Sequence, residues 1–220
     1  LVRTEKQAAM GLLVPMLAHN IRNPLASIRA TAQIIDVPKK DNDARESLEG
    51  IINTVDRLER WTGALLAYLH PIKPQLKLMQ FVSILEGALL PLTAKIRKKN
   101  ITVIKNIGQA HKELRTDEHL LEQVLYNLIL NALDASPKNS TITIDAMLNH
   151  DTFICSISDQ GPGMPFTPDP HTLSPGPSTK RFGTGLGIPF AFKVCEVLEG
   201  AIAFEALSPQ GTRITLTLPQ

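Results

Sequence analysis

Cysteine is scarce in this 220-residue chain: there are two, Cys155 and Cys195, both in apolar stretches and neither with metal-ligand spacing around it. That excludes a disulfide framework and a cysteine metal site, and it points to a reducing compartment. No apolar run is long enough to cross a membrane and no leader-like segment is visible, so no direct membrane contact is expected of it. Charge of one sign is lacking too. Lys and Arg number 23 against 21 Asp and Glu, a formal net charge of +2, which argues against a nucleic-acid binder or a protein held on a membrane surface. There is no internal repeat. What is present is an ordinary globular composition, 43% hydrophobic and 20% charged, in a chain long enough for one large domain or two small ones. Leu1 already lies in a stretch that reads as helix, which suggests a segment of a longer protein.

Val14, Ala18, Ile21, Leu25, Ile28, Ala32 and Ile35 follow one another in alternate steps of four and three, the seam of a helical bundle. They predict a first helix over 5–36, ending before Val37-Pro38. His19 stands one place past a seam position, so its ring is expected to point away from the core. Pro24, lacking an N–H, is expected to kink the helix one turn later. Leu48, Ile51, Val55, Leu58, Thr62, Leu65 and Leu69 make a second seam, predicting a helix over 44–69. Two seamed helices joined by a short charged turn form a hairpin that cannot enclose its own apolar stripe. Pairing of two copies into a four-helix bundle, a homodimer, is the expected outcome.

His70-Pro71-Ile72-Lys73-Pro74 breaks the helical pattern and reads as a linker, dividing the chain into domains 1–72 and 73–220. Beyond it we expect helices over 81–99, 116–135 and 187–199, and strands over 101–106, 141–148, 152–158, 201–206 and 212–218. The class is α+β: a helical hairpin followed by an α/β sandwich, a sheet covered by helices.

Three stretches of the second domain carry chemistry. Asn127 and Asn131 lie four apart on one helix face, and neutral amide oxygens there suit Mg²⁺ beside phosphates as well as they suit plain solvent. Ser158-Asp159-Gln160-Gly161-Pro162-Gly163 follows a strand. Its carboxylate can accept from an exocyclic amine such as that of adenine, and Gly161 and Gly163 would let a flat base approach the backbone, although an ordinary turn reads the same way. Lys180-Arg181-Phe182-Gly183-Thr184-Gly185-Leu186-Gly187 leads into a helix whose first N–H groups can bind phosphate. It is neither a Walker A loop nor a Rossmann fingerprint.

Taken in order, His19-Asn20-Ile21-Arg22-Asn23-Pro24-Leu25, Asn127 to Asn131, Asp159-x-Gly-x-Gly and Gly183-Thr-Gly-Leu-Gly closely resemble the H, N, G1 and G2 boxes of bacterial sensor histidine kinases. The resemblance covers nearly the whole chain, including Gly211-Thr212, and the histidine box looks most like the nitrogen-regulation type. It implies a dimerisation and histidine-phosphotransfer hairpin and a Bergerat-type ATP-binding domain, in a cytoplasmic protein. That domain also occurs in gyrase, the heat-shock-90 chaperone and mismatch-repair ATPases, so the His19 box is what separates the functions. The implied activity is ATP-dependent phosphorylation of His19, then transfer to an aspartate on the receiver domain of a response regulator. The implied cofactors are ATP and Mg²⁺, with Asn131 as metal ligand and Asn127 beside the phosphates. Asp159 would read adenine with Gly161 and Gly163 beside it, and Gly183, Gly185, Leu186 and Gly187 would present the phosphate turn. Lys180 would meet the β- and γ-phosphates, and Asn23 would orient a water for dephosphorylating the regulator.

Two departures stand out. Relatives carry Glu or Asp directly after the histidine, where this chain has Asn20. Relatives also carry an aromatic pair in the ATP lid, where this chain has Leu173-Ser174-Pro175-Gly176-Pro177-Ser178-Thr179-Lys180. Both fit a competing class, a catalytically weak pseudokinase that binds nucleotide within a dimeric signalling module.

Overall fold

Apolar residues recurring every three or four positions become helices in the second part of the chain, and alternating ones become strands. The computed structural model describes residues 72–108, 113–149, 151–164, 168 and 187–220, together with 21, 25–33, 35, 43, 44, 47–52, 54, 55 and 58. The described residues fall into two compact units, those up to 58 in one and those from 72 onward in the other.

In the first unit, residues 25–33 and 47–52 are helical. The seam splits into two sets seven residues apart. Leu25 and Ala32 are buried, as is Val55, whereas Ile21, Ile28 and Ile35 are 40–50% exposed and Ile51 and Leu58 are similarly open. Among the described seam positions, alternate ones are therefore buried or half-buried and the others open.

The second unit runs β1 (Lys77–Gln80), α1 (Phe81–Leu89), α2 (Thr93–Lys99), β2 (Thr102–Ile107), β3 (Glu113–Thr116), α3 (Glu118–Ala135), β4 (Thr141–Leu148), β5 (Thr152–Ser158), α4 (Gly187–Val197), β6 (Ala201–Ala206) and β7 (Thr212–Pro219). Five strands make one sheet in the order β2-β4-β5-β7-β6. β2 and β4 are parallel, with α3 in the connection between them, and the remaining pairs are antiparallel.

The helix expected over 81–99 is in fact two. Pro91 sits in a 3₁₀ turn, Leu90–Leu92, where a residue with no N–H cannot extend the α-helical ladder. The strand expected over 101–106 is Thr102–Ile107, and α3 begins at Glu118 rather than 116. β1 and β3 were not expected. They pair antiparallel, from Lys77 opposite Thr116 to Gln80 opposite Glu113, as a separate two-stranded sheet.

The core lies between the helices and one face of the sheet. α1 contributes Phe81, Ile84, Leu85 and Ala88, and α3 contributes Leu121, Val124, Leu125, Leu128, Ile129, Ala132 and Leu133. Ile142 and Ile144 of β4, Phe153 and Ile157 of β5, and Leu216 and Leu218 of β7 face them. The rings of Phe81 and Phe153 pack with centroids 4.8 Å apart. Fully burying such a side chain stabilises the fold by about 1.5–3 kcal/mol. The other face carries Thr141, Thr143, Thr152, Thr215 and Thr217, all half-buried. Asp117 caps α3: one carboxylate oxygen accepts from Leu120 N (3.1 Å) and the other from Gln75 N (2.7 Å). That second bond ties the segment after residue 71 to the helix carrying the asparagines. Cys155 and Cys195 are free and buried, and burial pushes both thiols up to about 12, which leaves them protonated and inert.

Candidate functional site

α3 is buried along one side, and its remaining side presents Asn127 and Asn131, both half-buried. Asparagine is a middling helix former, so the well-packed opposite face has to hold this helix together. Ala135 continues the same stripe one turn further on. Two separate glycine segments come up against it. A Cβ placed on Gly187, at the start of α4, would lie 3.6 Å from Asn127 Cβ and from Asn131 Nδ2. A Cβ on Gly161 would lie 2.8 Å from Ala135 Cβ and 3.0 Å from the Ala135 carbonyl oxygen, closer than a side chain tolerates. α3 is thus a shared wall, with a helix N-terminus at Asn127 and Asn131 and a glycine turn at Ala135. At 1.5 Å of rise per residue, about 12 Å of helix separates Asn127 from Ala135.

The turn after β5 is built around Asp159, which is buried. Its Oδ1 accepts from the N–H of Gly161 (2.8 Å) and of Thr212 (3.3 Å), and its own N–H donates to the Thr212 carbonyl (2.9 Å). Backbone donors of this kind offset the cost of burying a carboxylate. Gln160 Oε1 accepts from Thr141 N at 2.8 Å, which fastens the turn to β4. Gly211 lies at φ +119°, and a Cβ there would fall 2.2 Å from the Asp159 carbonyl oxygen. Only glycine allows that approach. Gly211→Ala is therefore expected to cost about 3 kcal/mol or more of stability, from left-handed strain plus a backbone clash. Urea unfolding would read it as an earlier midpoint.

Of the residues singled out above, the structure brings Asn127, Asn131 and Gly187 together, and it seats Asp159 and Gly161 at the far end of the same helix. Gly163 follows at φ +84°, where its Cβ would lie 3.6 Å from the Gly211 carbonyl. His19, Asn20, Asn23, Lys180, Gly183, Gly185 and Leu186 lie outside the described residues. Ala135 escaped the sequence reading because alanine carries no chemistry. For Thr212 the signal in the sequence is the Gly-Thr pair before the last strand. Among the described residues no group of three His, Cys, Asp or Glu side chains could hold a metal. The polar donors on this wall are neutral amides, and these fit Mg²⁺ shared with phosphate oxygens better than a cation caged by protein alone.

Two family models match the chain in succession. One, described as His Kinase A (phospho-acceptor) domain, takes in residues 9–69. The other, described as histidine kinase-, DNA gyrase B- and HSP90-like ATPase, takes in residues 116–220. Among curated relatives, the sensor histidine kinase ZraS of Salmonella typhi is 30% identical over 219 residues, covering 99% of this chain and 47% of that protein. The chain thus spans about half the length of the curated relatives it matches. Among solved structures, full-length ShkA in complex with AMPPNP superposes with a TM-score of 0.78 at 19% identity, over 95% of this chain and 46% of that one. Histidine kinase ThkA in complex with the response regulator protein TrrA gives 0.68 at 23% identity, over 99% and 64%. At these identities the two structures speak for the fold.

Proposed function

The chain belongs to the histidine kinase family as a bacterial two-component transmitter core, and on that premise we propose that it phosphorylates His19 from ATP and passes the phosphoryl group to an aspartate of a response regulator. The observation that supports nucleotide use is the α3 stripe, with Gly187 against Asn127 and Asn131 and the Asp159 turn against Ala135. A polar wall flanked by a helix N-terminus at one end and an anchored buried carboxylate at the other suits a triphosphate and a purine amine.

Asp159 accepts from the adenine amine, with Gly161 and Gly163 leaving room for the ring. Asn127 holds the phosphates, and Gly183, Gly185, Leu186 and Gly187 present backbone donors to them. Lys180 meets the terminal phosphates. Asn131 supplies the amide oxygen for Mg²⁺, which when bound neutralises phosphate charge. Phosphoryl transfer depends mainly on position and charge, so little covalent work falls to the protein. The neutral His19 imidazole forms the N–P bond as the bond from the γ-phosphorus to its bridging oxygen breaks and ADP leaves. The proton on the other ring nitrogen is then lost to solvent water. Asn20 can accept a hydrogen bond from that N–H and fix the tautomer, but it cannot take the proton. Asn20→Asp is therefore expected to raise the initial rate of labelling from ATP, by about 10²-fold if general-base help is restored in full. A slower or unchanged rate would overturn this role for Asn20.

Asn23, four residues past His19, suits a water that removes phosphate from the regulator. The domains are assigned as 1–72 and 73–220. Exposed Ile21, Ile28, Ile35 and Ile51 favour closure of the hairpin into a homodimeric four-helix bundle. Among the described residues no helix is long and apolar enough to cross a membrane, and a cytoplasmic setting follows from the proposed regulator partner. The deciding experiment is incubation with γ-labelled ATP and Mg²⁺. Acid-labile, base-stable label on the chain is the expected result. Its absence would favour a nucleotide-binding signalling module instead.

A further inference from the structure

Lys99 closes α2, and its ammonium reaches the end of another helix. Nζ donates to the main-chain carbonyls of Leu133 (2.6 Å), Asp134 (3.2 Å) and Ser136 (2.8 Å). The first two belong to the last turn of α3, where carbonyls have no partner within the helix. An ammonium has three donors, and here each has its own acceptor, at the negative end of the helix dipole. The neighbouring turns are stitched together as well. Asn100, at φ 52°, donates from Nδ2 to Asn139 Oδ1 (2.9 Å), and Asn139 N donates to the Lys99 carbonyl (3.0 Å).

The carbonyls that Lys99 holds bracket Ala135, the residue on which Gly161 rests with no space for even a methyl group. Gly161 N in turn donates to Asp159 Oδ1. A rigid chain of contacts therefore runs from the ammonium through the end of α3 and the Gly161 turn to the carboxylate. We propose that Lys99 is a positioning residue for nucleotide selection: it fixes the end of α3 so that Asp159 stands where it can distinguish an amino-purine from an oxo-purine. This rests on the reading of Asp159 as the adenine acceptor. Lys95, on the same helix, pairs instead with the Asp134 side chain. It makes a control that alters charge without touching the carbonyls.

The test measures binding of ATP and of inosine triphosphate, which carries an oxygen in place of the amine, to the full 220-residue chain. Lys99→Met is expected to weaken ATP about tenfold and inosine triphosphate about twofold, so that the preference narrows about fivefold. Lys99→Arg is expected to restore most of the preference, and Lys95→Met to leave it unchanged. Should Lys99→Met fail to fold, Lys99→Gln, which keeps donors but not charge, carries the same expectation. A purely structural role would lower the unfolding temperature and leave the ratio of the two affinities untouched, which would overturn the inference. Wild-type chain that binds both nucleotides alike would remove the Asp159 reading itself, and the inference with it. Wild-type discrimination that survives intact in the Lys99 variants would sink the inference alone.

Discussion

Replacing His19 with alanine is expected to remove all acid-labile label from the chain incubated with γ-labelled ATP and Mg²⁺, while ATP affinity stays within about twofold, because His19 is not among the residues assigned to hold the nucleotide. The loss is complete if the His19 imidazole is the group that receives phosphorus, as proposed, because an alanine methyl offers no partial substitute. Retained binding is the informative half of the result. Of the residues assigned to the nucleotide, Asn127, Asn131, Asp159, Gly161, Gly163 and Gly187 belong to the second compact unit. A variant with neither label nor binding would mean that the mutation had damaged the fold. Label that persisted on His19→Ala would place the acceptor elsewhere, and the kinase assignment would have to move with it. Phosphate release that continued unchanged would point to a stand-alone ATPase.

Asp159→Asn is expected to weaken ATP by about 10²-fold or more, for a reason that lies in the backbone around it. Two N–H groups, of Gly161 and Thr212, point at Oδ1. An asparagine in this position must put its carbonyl oxygen there, which turns its NH₂ to the place of the other carboxylate oxygen. If that oxygen accepts from the adenine amine, the variant sets donor against donor. The same variant should bind inosine triphosphate better than ATP, because a carbonyl on the base now meets a donor. A drop of equal size for both nucleotides would show that Asp159 only shapes the turn. Buried charge is being traded for a neutral amide with its backbone bonds intact, so folding stability should change less than affinity does.

β4, β5 and β7 were legible because buried apolar residues alternate with positions held mainly by Thr and Ser, and β6 because Ile202 and Phe204 alternate with Ala and Glu. The asparagine pair was legible for a similar reason, since a spacing of four fixes a helix face. Lys77–Gln80 and Glu113–Thr116 were not. Each is four residues long and has too few apolar positions to show a period, and their pairing joins segments far apart in the chain. Pro91 could have signalled the break after Leu89, but the apolar run across it matched a continuous helix. At the site, chemistry was readable and support was not. The role proposed for Asp159 rests on its own side chain. What holds it comes from Thr212, fifty-three positions later, and from an alanine and a lysine whose importance lies only in where the fold puts them.

β7 lies between β5 and β6 although it follows both in the chain. During synthesis, then, β5 and β6 emerge first, each with an open edge, and wait for the strand that will fill the gap. Such edges invite pairing with other nascent chains until the gap is filled. The amide of Thr212 arrives only with that strand, so a ribosome-bound intermediate cannot yet hold Asp159 in place. Any nucleotide that needs this carboxylate would recognise the finished sheet alone, and in the cell it would act as a ligand that pulls late folding to completion.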